Sequence, residues 1–151
     1  MLDTEARRII REFPLGIVAT VTPDGNPAAA PKGTFIALDN DAIAYGDIRS
    51  PGTRRNLAEW PSAEVVFVDP FRRKGVRIFG PSRVIERGES SFAELYPMWE
   101  AEWGELASRI SHIVRIGAKR VLHLMTPPYD CGATEEEMIS LYKSRFAELY
   151  P

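Results

Sequence analysis

One cysteine, two histidines and no long apolar run: these are what this 151-residue chain has least of. Cys131 has no second thiol to pair with, which excludes an internal disulfide framework. One cysteine with two histidines also cannot build a Cys-rich zinc centre, so no metal is expected. No uninterrupted apolar stretch approaches the roughly 20 residues that a membrane-crossing helix needs, and no membrane partner is expected. The first residues, Met1 to Arg8, carry Asp3 and Glu5 and lead into no apolar core of a signal peptide; the expected compartment is the cytoplasm. Excess charge of one sign is missing too. With 19 Lys and Arg against 21 Asp and Glu, the net charge of −2 sets up no global field towards nucleic acid. Nor does the chain contain a Gly-x-x-x-x-Gly-Lys-Ser/Thr loop, a Gly-x-Gly-x-x-Gly after a strand, or a Gly-x-Ser-x-Gly elbow.

What is there suits an ordinary globular protein. Hydrophobic residues make up 44% and charged residues 26%, enough for one domain over residues 1–151 with a real core. The charge is unevenly placed. Between Arg49 and Arg77 stand seven basic residues (Arg49, Arg54, Arg55, Arg72, Arg73, Lys74, Arg77) against three acids (Glu59, Glu64, Asp69), a local excess of 7 − 3 = +4. Such an island in a slightly acidic chain fits a small anionic ligand better than a long polyanion, and stacking aromatics are sparse beside Arg72-Arg73-Lys74.

The pattern predicts a helix over 3–12, capped by Asp3 or Thr4 and stopped by Pro14, then a strand over 15–21. Thr22-Pro23-Asp24-Gly25-Asn26 is a hairpin turn, and residues 27–37 return as one strand whose prolines fit a sheet edge. Asp39-Asn40-Asp41 turns into a buried strand over 42–46. A short helix over 56–60, a strand over 64–69 and a strand over 76–85, kinked at Gly80-Pro81, follow. Phe92, Leu95, Trp99, Trp103, Leu106 and Ile110 make an apolar stripe on a helix over 89–111, which takes in the neighbourhood of His112. A last strand over 118–125, which holds His123, leads through Pro127-Pro128 to a final helix opened by Thr134 and Glu137 in a capping-box pattern. About six strands with short connections favour antiparallel pairing, hence a mainly β (α+β) fold, a small barrel or sandwich with attached helices.

The richest stretch for chemistry is Gly46 to Leu57. It leaves the 42–46 strand through Asp47, Ser50, Pro51, Gly52, Thr53, Arg54 and Arg55, a run of hydroxyls, backbone amides and guanidinium groups. Two readings stand: a polar loop with solvated arginines, or a cradle for an anion such as a phosphate. If the strands over 27–37 and 42–46 are neighbours, Pro31-Lys32-Gly33-Thr34 and Asp47 to Asn56 border one cleft suited to a planar, phosphate-bearing cofactor. The phosphate would go to Ser50, Thr53 and Arg54, and the ring would lie along the backbone near Gly33. His112, His123 and Cys131 read as structural or surface residues, Glu135–Glu137 as a solvated face, and Trp99 and Trp103 as packing residues.

The succession Thr-Pro-Asp-Gly-x-Pro, x-Pro-Lys-Gly-x-Phe, Tyr-Gly-Asp-x-Arg-Ser-Pro-x-Thr-x-x-Asn-Leu and Val-x-Phe-Val-Asp-Pro-Phe, over about residues 8–88, resembles the pyridoxamine 5'-phosphate oxidase-like FMN-binding split β-barrels. That resemblance implies a six-stranded antiparallel split barrel over about 14–125, a C-terminal helix over about 134–149, and a homodimer with FMN at its interface. It implies cofactor contacts from Pro31, Lys32, Gly33, Thr34, Asp47, Ser50, Thr53, Arg54 and Asn56, with help from Arg77. The implied activity is that of a flavin-dependent oxidoreductase on a small molecule; the alternative is a non-catalytic flavin or haem module. Many relatives carry a lysine after Ser-Pro, where this chain has Gly52, and the catalytic residues of the true pyridoxamine oxidase are not recognisable in the C-terminal third.

Overall fold

The structure, a computed structural model, describes all residues from Met1 to Pro151. Helix α1 (Thr4–Glu12) begins where the Asp3 carboxylate accepts the Ala6 N–H at 2.8 Å and lays Ala6, Ile9 and Ile10 on the core. Strands β1 (Gly16–Val21) and β2 (Pro27–Lys32) form the expected hairpin, with Gly25 at φ +89° in the turn. β3 (Phe35–Leu38) and β4 (Ala42–Asp47) form a second hairpin, and β4 runs into α2 (Pro51–Glu59). β5 (Ser62–Asp69), the 13-residue β6 (Lys74–Glu86), α3 (Ser90–Trp103), β7 (His112–Gly117), β8 (Arg120–Met125) and α4 (Glu135–Leu149) complete the chain.

All strand pairs are antiparallel. The order β2-β1-β5-β6-β7-β4-β3, with β8 also on β6, curls into an α+β split barrel. β6 makes the curl possible. Its residues 74–81 pair with β5 and 82–86 with β7, and the partner changes at Gly80-Pro81, where the sequence predicts a kink. A side chain at Gly80 would strike the Gly117 carbonyl, so only glycine lets the two halves of the sheet approach there.

The interior holds Val18, Phe35, Ile43, Tyr45, Val65, Phe67, Val76, Ile78, Val114 and Ile116, closed by Ile9 and Ile10 of α1. A second cluster lies outside the barrel wall. There Phe92 and Trp99 of α3, with Ala107 and Ile110, cover Leu38, Ala42, Ala44, Ile85 and Ile113. β4 is therefore buried on both faces, as its unbroken apolar run implies. No helix is long and apolar enough to cross a membrane.

Four expectations need correction. The sheet has eight strands where six were expected. The strand expected over 27–37 is two, β2 and β3, broken at Gly33-Thr34 and lying at opposite ends of the strand order. The helix expected over 89–111 ends at Trp103, because Gly104 takes φ +57° and a 3-10 segment, Gly104–Arg109, follows; Leu106 on it is 41% exposed rather than part of a buried stripe. His112 accordingly opens β7, a strand hidden from pattern reading because Ile113, Val114 and Ile116 are buried on both its faces. The short helix expected over 56–60 starts earlier, at Pro51. Proline at its first turn loses no intrahelical bond there, so most of the supposed loop is helix.

Candidate functional site

The break between β2 and β3 brings the two predicted segments together. Thr34 is buried, and its hydroxyl both donates to the Gly46 carbonyl (2.8 Å) and accepts the Gly46 N–H (3.0 Å). The Trp99 indole N–H donates to the Thr34 carbonyl at 2.8 Å, so α3 packs on its own barrel and pins the bend from outside. One residue before the bend, Lys32 donates its ammonium to the Ser50 hydroxyl. Ser50 is the N-cap of α2, yet its side chain caps none of that helix's N–H groups. Pro51 has no N–H, which leaves the amides of Gly52 and Thr53 at the positive end of the helix dipole next to the Lys32 ammonium.

Behind this rim the charge is tightly held. Asp47 is buried (1% exposed), and one carboxylate oxygen accepts from the Arg54 Nε at 2.9 Å. The other oxygen, Oδ1, has no partner, nor has the equally buried Tyr45 hydroxyl. Burial pushes the Tyr45 phenol pKa well above its ordinary value, and the Asp47 charge adds to the shift. Burial pushes the Lys32 pKa down, and Asp47 opposes that shift without cancelling it. Thr53 is buried on the inner side of α2, and the Asn56 amide donates to the Thr20 hydroxyl at 3.0 Å, which ties the helix to β1.

The outer side of this rim is open. A Cβ added at Gly33 or Gly52 would meet nothing within 4 Å, so neither glycine is required by this chain's own packing. Ser50, Gly52, Lys32 and Gly33 thus border space that the monomer leaves free.

Arg77 stands apart. It points to the outside of the sheet, with its Nε 3.2 Å from a Glu64 carboxylate oxygen, a distance without hydrogen-bond alignment. Register places it in one cross-strand row, Pro31–Ile17–Val66–Arg77–Leu122. Pro31 and Arg77 share a face but are three strand spacings apart, about 14 Å at the usual separation. Within one chain Arg77 therefore lies away from Lys32 and Ser50. That face carries Ile17 (41% exposed), Val68 (48%) and Leu122 (40%), an apolar surface on a sheet otherwise built to be covered.

Two neighbours of the site went unread in the sequence. The backbone carbonyl of Asp47 accepts the Ser111 N–H (2.8 Å) and the Ser111 hydroxyl (3.1 Å), and that hydroxyl is 2.8 Å from His112 Nδ1. His112 is also the register partner of Asp47. The available signal was the apolar run Ile113-Val114, which is too short to be told from a helix continuation.

These features define an antiparallel split barrel with an ammonium and a hydroxyl at the uncapped start of its second helix. The chain belongs to the pyridoxamine 5'-phosphate oxidase family, whose sequence pattern matches residues 2–126. Among solved structures it is similar to HupZ of Group A Streptococcus (24% identity, TM-score 0.70, covering 83% of this chain and 96% of that one). It is also similar to HutZ, the haem storage protein from Vibrio cholerae (16% identity, TM-score 0.65, 82% and 94%). A third is a pyridoxamine 5'-phosphate oxidase-related, FMN-binding protein from Nostoc punctiforme (20% identity, TM-score 0.58, 80% and 78%). At these identities the likeness is one of fold. No curated protein matches the chain.

Proposed function

We propose that this chain is a single-domain, cytoplasmic flavin-dependent oxidoreductase that works as a homodimer and binds FMN at the rim formed by Lys32, Gly33, Ser50 and Gly52. One observation carries the reading: the Lys32 ammonium is held against the uncapped start of α2 on a side that glycine leaves open. The donor set fits a phosphate dianion, since an ammonium and a hydroxyl lie together at an uncapped helix start, whose first amides carry the positive end of its dipole. Asn56 serves this site by holding α2, beside the buried Thr53, and Asp47 by holding Arg54, whose guanidinium keeps its remaining donors for the anion.

The flavin ring would lie along the Pro31–Thr34 backbone, which Thr34 fixes to β4 and Trp99 fixes to α3. When bound, FMN supplies electron or hydride transfer to a small substrate; the protein's part is to bind, orient and shield it. The exposed row through Ile17, Val66 and Leu122 supports the dimer, because a second copy would cover this apolar face. Its Arg77 would then lie near the first copy's Pro31, the one way Arg77 joins the site.

The test is an FMN titration of the purified protein, read by quenching of flavin fluorescence. Binding should saturate, and Thr53→Ala with Arg54→Ala should weaken it about tenfold or more, the worth of a charge-assisted hydrogen bond. Unchanged affinity in that double variant removes the phosphate assignment. Uptake of haem in preference to FMN would favour the storage reading instead.

A further inference from the structure

A cleft of about 450 Å³ is not lined by Lys32, Ser50 or any other residue of the flavin rim. It opens at the free edge of β3, where that strand ends the sheet order, between α1 and α3. Its volume falls within the range of small-molecule sites. The floor is apolar: Pro14, Phe35, Ile36, Met98 and Trp103. The two walls carry opposite charge, Arg7 and Arg11 on α1 and Glu102 on α3.

Arg7 is already committed, because its guanidinium donates to the Leu2 carbonyl (3.2 Å) and the Leu38 carbonyl (3.0 Å) and holds the wall in place. Arg11 is the less committed cation: its side chain is 72% exposed, and its one ion-pair partner, Glu12, is a loose 3.8 Å away. Glu102 is exposed on the far wall and is not paired with Arg11. An apolar floor between an exposed guanidinium, held only by a loose surface pair, and an unpaired carboxylate has a definite complement.

We propose that this cleft binds a small bipolar ligand, an apolar ring with a carboxylate at one end and a protonated amine at the other. The carboxylate faces Arg11, the amine faces Glu102, and the ring lies on Trp103 and Met98. A ligand with only one of the two charges satisfies one wall and leaves the other merely solvated. This site is independent of the flavin reading, so either can fail without the other.

The test uses 4-(aminomethyl)benzoate as probe, with 4-methylbenzoate and benzylamine as controls that each lack one charge. The full chain is titrated while the indole N–H resonances of Trp60, Trp99 and Trp103 are followed by NMR. The expected result is a saturable shift at Trp103, with affinity about three- to fivefold above either control, the worth of one exposed ion pair. Arg11→Gln should bring the probe down to the level of benzylamine, and Glu102→Gln down to that of 4-methylbenzoate. Both side chains are exposed and hold nothing in the fold, so these variants keep the barrel. Equal affinity for all three compounds, no saturation, a shift at Trp60 instead, or affinity unchanged in both variants would each overturn the proposal.

Discussion

The indole N–H of Trp99 donates to the backbone carbonyl of Thr34 across 65 residues of sequence, at 2.8 Å and fully out of solvent. Trp99→Phe keeps most of the ring and removes the donor. The buried Thr34 carbonyl then loses a partner, at a cost of about 1–3 kcal/mol. Urea unfolding should show that loss, and FMN affinity should fall with it because the bend at Gly33-Thr34 loosens. If stability falls and FMN affinity does not, the ring does not rest on this segment.

Tyr45 gives the opposite expectation. Its hydroxyl is buried without a partner, so Tyr45→Phe removes an unsatisfied group and leaves the packing against Phe35 intact. Stability should be unchanged or rise by about 1 kcal/mol. A clear loss in thermal or urea unfolding would mean that the hydroxyl does find a partner in solution.

Two glycines separate fold from site. Gly80→Ala should unfold the barrel or cost more than about 4 kcal/mol, since its methyl would meet the Gly117 backbone, which cannot give way. Gly52→Lys has open space and puts a second ammonium beside the first turn of α2. It should tighten FMN binding roughly tenfold, the scale of one charge-assisted contact, with a melting temperature close to that of the parent. Weaker binding by the lysine variant would place the phosphate elsewhere.

Asp69 should set the acid limit of stability. It is buried, and burial alone would raise its pKa. The N–H groups of Arg72 and Phe71 (2.9 Å each) and the guanidinium groups of Arg72 and Arg8 (3.1 Å each) outweigh burial and hold it below its ordinary 3.8. A carboxylate with a depressed folded-state pKa binds fewer protons folded than unfolded. Its contribution is therefore complete above the unfolded value and is lost as pH falls through the folded one. Asp69→Asn should cost about 2 kcal/mol or more near neutral pH, and the gap from the parent should close below pH 4 in urea titrations. A gap that stays constant with pH would show that Asp69 acts through shape and not charge.

Much of this was legible along the chain because its causes are local. Asp3, the Asp24-Gly25 turn, and Thr134 with Glu137 act within a few residues, and each sits where its chemistry predicts. The kink at Gly80-Pro81 was legible for the same reason. β7 was not, because a strand buried on both faces shows no alternation, and the β2–β3 break was not, because only the sheet reveals that its halves part. The neighbourhood of Lys32 and Ser50 rested on a condition that the sequence left open, and only the break at Gly33-Thr34 brings the two together. Ser111 and His112, which reach Asp47 from 64 and 65 residues away, had only the short run Ile113-Val114 beside them as a local sign.

Local residue patterns were enough for the family resemblance, the β-rich architecture and an expectation that an anion sits along the stretch from Ser50 to Asn56. Residue types with short-range preferences suffice for that: turn formers, an apolar run, and a proline that opens a helix. Which groups face one another came from the packing of distant segments. It committed Asn56 to Thr20 and Arg54 to Asp47, set Lys32 on Ser50, and placed Arg77 three strands away, since contacts between distant segments depend on the register and curl of the whole sheet and not on any one stretch of the chain.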